Sequence, residues 1–302
     1  MAAPLNDAHC HFFSRAFFTA LAHQRHRGDT VDALCAELAW EAPGTPEALG
    51  DRWVAELDAN HVARAALIAS VPGDEDGLAA AIARHPSRLV GFFMVDPASP
   101  EAVHRTRRAV AELGLSTVCL FPAMHHVALT DDRVARVIDA AVGERPGVAV
   151  FVHCGVLTLG VRKKLALASR FDLHLGDPLA VARLAMTFPE TPFVIPHFGA
   201  GRLREALMAA DVCPNIYLDT SSTNQWVRYT PSLTLTDVFR ATLSVIGPER
   251  LLFGTDSSFF PRGWQRAIYD QQRTILSQLG VGAAAQALIF GGNFDRLFAR
   301  AS

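Results

Sequence analysis

Short, nearly uninterrupted apolar runs recur along the chain, and the segments between them carry apolar residues at helical spacing. The runs are Pro4–His9, Arg64–Ser70, Leu89–Val95, Thr117–Phe121, Val148–His153, Pro192–His197, Asn215–Asp219 and Arg250–Thr255. Strands of a parallel sheet are buried on both faces, so they read as continuous hydrophobic stretches rather than alternating ones. The intervening segments Asp74–Arg84, Pro100–Leu113, Asp131–Gly143, Pro178–Phe188, Gly201–Ala210 and Leu235–Ile246 predict helices, several of which open on Pro or Asp, as first turns do. Alternating strands and helices imply parallel βα units, and a run of eight points to an α/β fold, the (β/α)8 TIM barrel. Periodicity alone leaves a doubly wound open sheet as the competitor.

Two regions break the repeat. Residues 12–60 are too long for one crossover and predict a helical insertion of two or three helices over or beside the barrel mouth, including Val31–Trp40 and Pro46–Asn60. From Trp264 onward the pattern is helical, with Gln265–Leu279, Ala283–Ile289 and Asn293–Arg300 predicted to close the barrel. No repeat, low-complexity tract or linker divides the chain, so residues 1–302 are assigned to one domain.

Composition narrows the function. Hydrophobic residues make up 50% of the 302, charged residues 19%, and the net charge is −2, which supplies one large core and no basic footprint for nucleic acid or an acidic membrane. The implied partner is a small-molecule substrate. The five cysteines are scattered and mostly within apolar runs, which reads as reduced thiols. No apolar run approaches the ~18 residues of a membrane span, and no leader pattern opens the chain, so the expectation is a soluble cytoplasmic protein.

The chemistry starts at Asp7-Ala-His-Cys-His11. On a strand, residues i and i+2 share a face, so His9 and His11 present two imidazoles side by side, half of a metal site. His153 and His197 close the fifth and sixth runs, and Asp256 follows the eighth. A lone strand-end histidine is ordinarily a hydrogen-bonded core residue. Five such groups, all at the ends where a barrel gathers its active site, are a different matter.

The sequence resembles the amidohydrolase superfamily, in the amidohydrolase-related branch that includes 2-amino-3-carboxymuconate-6-semialdehyde decarboxylase and γ-resorcylate decarboxylase. Six stretches carry the likeness: 7–11, Val152-His-Cys-Gly155, 188–201 with its Pro-His-Phe-Gly-Ala-Gly, Asn215-Ile-Tyr-Leu-Asp-Thr220, 247–256 ending Gly-Thr-Asp, and 291–298. By that resemblance His9, His11, His153 and Asp256 are metal ligands, and His197 with Asp256 is catalytic. Many relatives bridge two metals with a lysine or glutamate at the end of the fourth strand. Here that strand reads Thr117-Val-Cys-Leu-Phe-Pro122 with neither, so one divalent ion is expected, zinc first, with manganese or iron as alternatives.

A divalent ion in such a site lowers the pKa of bound water from about 15.7 to about 7, and a neighbouring carboxylate stays ionised to move protons. The leading reading is therefore a metal-dependent hydrolase using a metal-activated water on a small, carboxylate-bearing or cyclic or aromatic substrate. A non-oxidative decarboxylase of an aromatic or muconate-type acid is the alternative, and a non-catalytic metal-binding scaffold the third. Arg162, Lys163 and Arg202 are candidates for a substrate carboxylate, with Arg262 similar, and Phe12 and Trp264 for an apolar pocket wall. The relatives' habit makes a homodimer the expected assembly.

Overall fold

The computed structural model describes residues 4–298. Eight parallel strands follow one another in sequence order: β1 Asn6–Phe12, β2 Arg64–Ala69, β3 Leu89–Val95, β4 Thr117–Leu120, β5 Ala149–Val152, β6 Phe193–Ile195, β7 Ile216–Asp219 and β8 Leu251–Leu252. β8 is much shorter than the apolar run predicted, because residues 253–257 leave regular pairing. They still bond to β1, through Ala8 N to Phe253 O (2.9 Å), Asp256 N to His9 O (2.8 Å) and His11 N to Ser257 O (2.7 Å). These bonds close the sheet into a (β/α)8 TIM barrel.

The helices are α1 Arg15–Arg25, α2 Val31–Glu37, α3 Pro46–Ala59, α4 Glu75–Arg84, α5 Ala102–Ala111, α6 Pro122–His125, α7 Asp132–Glu144, α8 Gly160–Lys164, α9 Pro178–Thr187, α10 Leu203–Val212, α11 Leu235–Ile246, α12 Arg266–Gln278, α13 Ala283–Ala287 and α14 Asn293–Phe298. Local chemistry starts many of them. Thr45 caps α3 and Asp177 caps α9, each followed by a proline at the first helical position, and Thr234 and Asp237 form a reciprocal capping box on α11. The insertion after β1 forms α1–α3, and the short α6 and α8 are additions that the periodicity did not predict. The end of the last predicted helix, residues 299 and 300, lies outside the described residues.

Two apolar layers hold the barrel. Alternate strand residues such as Val90, Phe92 and Met94 fill the interior, while Leu89, Phe93 and Val95 face the helices. Phe294 and Phe298 of α14 plug the floor, the Phe298 ring 4.9 Å from that of Phe92. The last helix thus seals the bottom and leaves the opposite mouth open. All five cysteines are buried and unpaired. Among the described residues no helix is long and apolar enough to cross a membrane.

Candidate functional site

β1 carries an irregularity that aims its histidines. Asp7 pairs with Ala65 but Cys10 with Leu67, so β1 spends one more residue than β2 over the same stretch. Such a bulge re-aims side chains at barrel rims. His9, within the bulge, and His11, beyond it, face the barrel mouth, whereas Cys10 and Phe12 point into the helix layer. Asp7 is fully buried, accepting from His9 N (2.9 Å), Thr255 N (3.1 Å), Thr255 Oγ1 (2.6 Å) and Trp264 Nε1 (2.7 Å). It ties the first strand to the last. Gly254 is required at that seam, since a Cβ there would lie 2.8 Å from the His9 Cβ.

At the mouth, ligand atoms of His9, His197 and Asp256 lie within 4.8 Å of one another, and His11 Nε2 is 3.0 Å from Asp256 Oδ1. The His153 ring centroid is 5.3 Å from that of His197. The strand ends therefore bring all five predicted residues together. His197 and Asp256 both adopt left-handed backbone, φ 55° and 59°, a conformation that non-glycine residues keep only when their surroundings impose it. Asp219 Oδ1 accepts His197 N at 3.1 Å, and His9 O accepts Asp256 N at 2.8 Å.

Proton positions follow from the partners. Ser70 Oγ donates to Ile68 O (2.9 Å), so it accepts from His11 Nδ1 (2.8 Å). His9 Nδ1 donates to Asp219 Oδ2 (2.8 Å), and His197 Nδ1 donates to Ser221 O (3.2 Å) or Ser221 Oγ (2.8 Å). Ser221 Oγ in turn donates to Asp219 Oδ1. In each neutral imidazole the proton sits on Nδ1, which leaves the Nε2 lone pair bare. His9 and His11 then direct lone pairs, at 3.5 and 3.0 Å, toward Asp256 Oδ1.

Burial alone would raise the Asp256 pKa, but its contact with His11 and the histidines around it outweigh that and hold the carboxyl well below its usual range, so it is ionised. Burial lowers His153 strongly and His197 as well, keeping both neutral. On His9 burial is outweighed by the charge and hydrogen bond of Asp219, which raise it. His153 stacks on Phe121 at 5.4 Å, and its buried Nδ1 has no hydrogen-bond partner among the described residues. The Nε2 atoms of His9 and His11 facing the Asp256 carboxylate, beside the orphaned ring nitrogen of His153, form a donor set that fits a divalent cation. The residue that follows β4 and lines the site is Phe121, neither a lysine nor a glutamate.

These groups floor a cavity of about 660 Å³. Its walls are aromatic, from Phe13, Trp40, Phe121, Trp226, Tyr229 and Phe260, and its cations are Lys164, Arg228 and Arg262. Asp256 is the one carboxylate in the lining. None of the five predicted substrate-binding residues lines it. On the helical turn of α8, successive side chains diverge by roughly 100°. Arg162 therefore enters a neighbouring cavity, Lys163 meets solvent and Lys164 reaches the site. Arg202 stands at the start of α10, outside the lining. Phe12 has the strand parity opposite to His11 and is core, and Trp264 is 3% exposed with its indole on Asp7. Arg262, weighed beside them in the sequence, does line the cavity. Ser70 was missed; its only signal was a polar residue ending the second run.

The comparisons agree with this architecture. A solved 5-carboxyvanillate decarboxylase from Novosphingobium aromaticivorans, with bound manganese and 3-methoxy-4-hydroxy-5-nitrobenzoic acid, is 15% identical, with a TM-score of 0.68 over 98% of this chain and 97% of that one. An amidohydrolase from Burkholderia multivorans with bound zinc is 18% identical, with a TM-score of 0.63 over 98% and 99%. A probable 2-pyrone-4,6-dicarboxylic acid hydrolase from Acinetobacter baumannii with citric acid bound is 15% identical, with a TM-score of 0.60 over 97% and 98%. At these identities the likeness is one of fold. Among curated proteins, Protein fluG of Emericella nidulans is 33% identical over 92 residues, 30% of this chain but only 10% of that protein's length. The amidohydrolase family model matches residues 7–300, and the chain belongs to that family.

Proposed function

We propose that the protein is a metal-dependent hydrolase acting on a small, carboxylate-bearing cyclic or aromatic substrate. One observation carries the reading: bare imidazole nitrogens and an ionised carboxylate converge at the floor of a cavity whose other charged groups are all cationic. His9, His11, His153 and Asp256 would hold one divalent ion, zinc first and manganese or iron as alternatives, with His197 beside them. When bound, the ion supplies Lewis acidity toward an oxygen of water or substrate.

The remaining work belongs to the chain. Asp256, ionised at neutral pH, accepts the proton of the attacking water and returns it to the leaving group. His197, fixed by Ser221 and by its strained backbone, presents Nε2 to the reacting carbonyl or the departing atom. Lys164, Arg228 and Arg262 draw a carboxylate to the rim, and the aromatic walls hold a flat ring and exclude water.

Decarboxylation is the second reading, favoured by those apolar walls and by the manganese-containing decarboxylase among the similar folds. Metal analysis should give about one ion per chain, lost in His153→Ala. The metal-loaded protein, offered lactones, amides and aromatic carboxylates, should release acid without CO2. CO2 release would select the second reading, and neither product from the loaded protein would overturn both.

A further inference from the structure

The residue that the sequence singled out for anion binding, Arg162, lies in a second cavity of about 560 Å³. Ser70, Met94, Met124 and Leu159 line both cavities, so the two adjoin and share part of their lining. Ser70 is also the residue that orients His11. The second cavity is thus in contact with the support of the first.

Arg162 is braced for a ligand. It donates through Nε to Ser169 Oγ (3.3 Å), through Nη1 to Gln24 Oε1 (2.5 Å) and through Nη2 to Ala168 O (2.5 Å). All three acceptors are neutral, so the guanidinium is positioned but not neutralised. Three of its five N–H groups are used, which leaves one on each Nη. Phe171 lies 5.8 Å from its central carbon and limits its swing. Arg105 in the same cavity is different: Glu75 takes it at 2.6 and 2.8 Å. Asp96 turns an oxygen to Ala98 N. Arg170 adds a second cation at the exposed edge.

We propose that this compartment is the distal half of the substrate site and seats a carboxylate at the far end of an elongated substrate, with Arg162 as its anchor. It rests on the metal-site reading above and adds a length and a second charge to the substrate class. A guanidinium braced by neutral groups gains most from a carboxylate, since charge-assisted hydrogen bonds are the strong ones.

The test uses the metal-loaded, full-length protein and a series of hydroxamic acids: acetohydroxamate, then ω-carboxyalkyl hydroxamates of increasing length, each beside its methyl ester. The hydroxamate end addresses the metal and the other end probes the compartment. Above one chain length the carboxylate should bind about tenfold tighter than its ester. That ratio should fall to near one in Arg162→Gln and be partly kept in Arg162→Lys. If acetohydroxamate binds but no length shows a carboxylate advantage, the compartment proposal fails while the metal site stands. An advantage undiminished in Arg162→Gln overturns it too, assigning the contact to Lys164, Arg228 or Arg262. If no hydroxamate binds, both readings fall.

Discussion

The two sides of the cavity floor are built on different principles. Toward β1, β7 and β8, each ring nitrogen turned into the protein has a partner, and Asp219 alone serves His9 Nδ1, His197 N, Ser221 N and Ser221 Oγ. Toward β4 and β5, His153 leans on the Phe121 ring with its Nδ1 bare, among Met94, Met124 and Leu157. One side fixes tautomers and directions through hydrogen bonds; the other holds its histidine by packing. Chemistry needing defined lone pairs belongs to the first side, and the apolar face of a substrate to the second.

The sharpest way to break this contrast is Asp219→Ala. Four donors would lose a buried acceptor, and we expect roughly 3–5 kcal/mol of lost stability by urea unfolding, with a ~10–100-fold weaker metal affinity by titration. A cost near that of a surface substitution would show that the polar side is not held as described. Next is Trp264→Phe, which removes one of the donors to Asp7 on the β1–β8 seam. A loss of ~1–2 kcal/mol is expected, and because the indole does not line the cavity, kcat should change little. A large fall in kcat with unchanged stability would put Trp264 back in the pocket. The smallest effect belongs to Ser70→Ala, which frees His11 Nδ1: metal affinity should drop about tenfold, with ~1 kcal/mol or less in stability. Rescue by Thr, which restores the hydroxyl, would separate positioning from packing.

Much of this was legible in the chain because burial on both faces writes parallel strands as apolar runs, and a polar residue ending such a run stands out. His9, His11, His153, His197 and Asp256 were singled out that way, and the fold brings them together at the mouth. What could not be read depends on groups far apart in sequence meeting in space. The bulge before Cys10 and the left-handed backbone at His197 and Asp256 are imposed by partners some 20 to 250 residues away, which single-sequence periodicity does not register. The positions of Lys163 and Phe12 outside the cavity have a simpler cause. One residue of rotation on α8 separates Lys164 from Lys163, and strand parity separates Phe12 from His11. The insertion was placed correctly as helices beside the mouth, but its Gln24 and Trp40 contacts come from tertiary packing.

The seam between β1 and residues 253–257 also sets a timetable. His9 and His11 leave the ribosome about 245 residues before Asp256, and α14, which plugs the floor, follows Asp256. A nascent chain therefore carries half of the candidate site, which cannot assemble until β8 and the residues after it dock on β1. Such long-range closure is slow compared with local helix formation. Assembly of the candidate site thus reports on closure of the whole barrel, and a chain truncated before residue 250 would lack both Asp256 and the seam that places it.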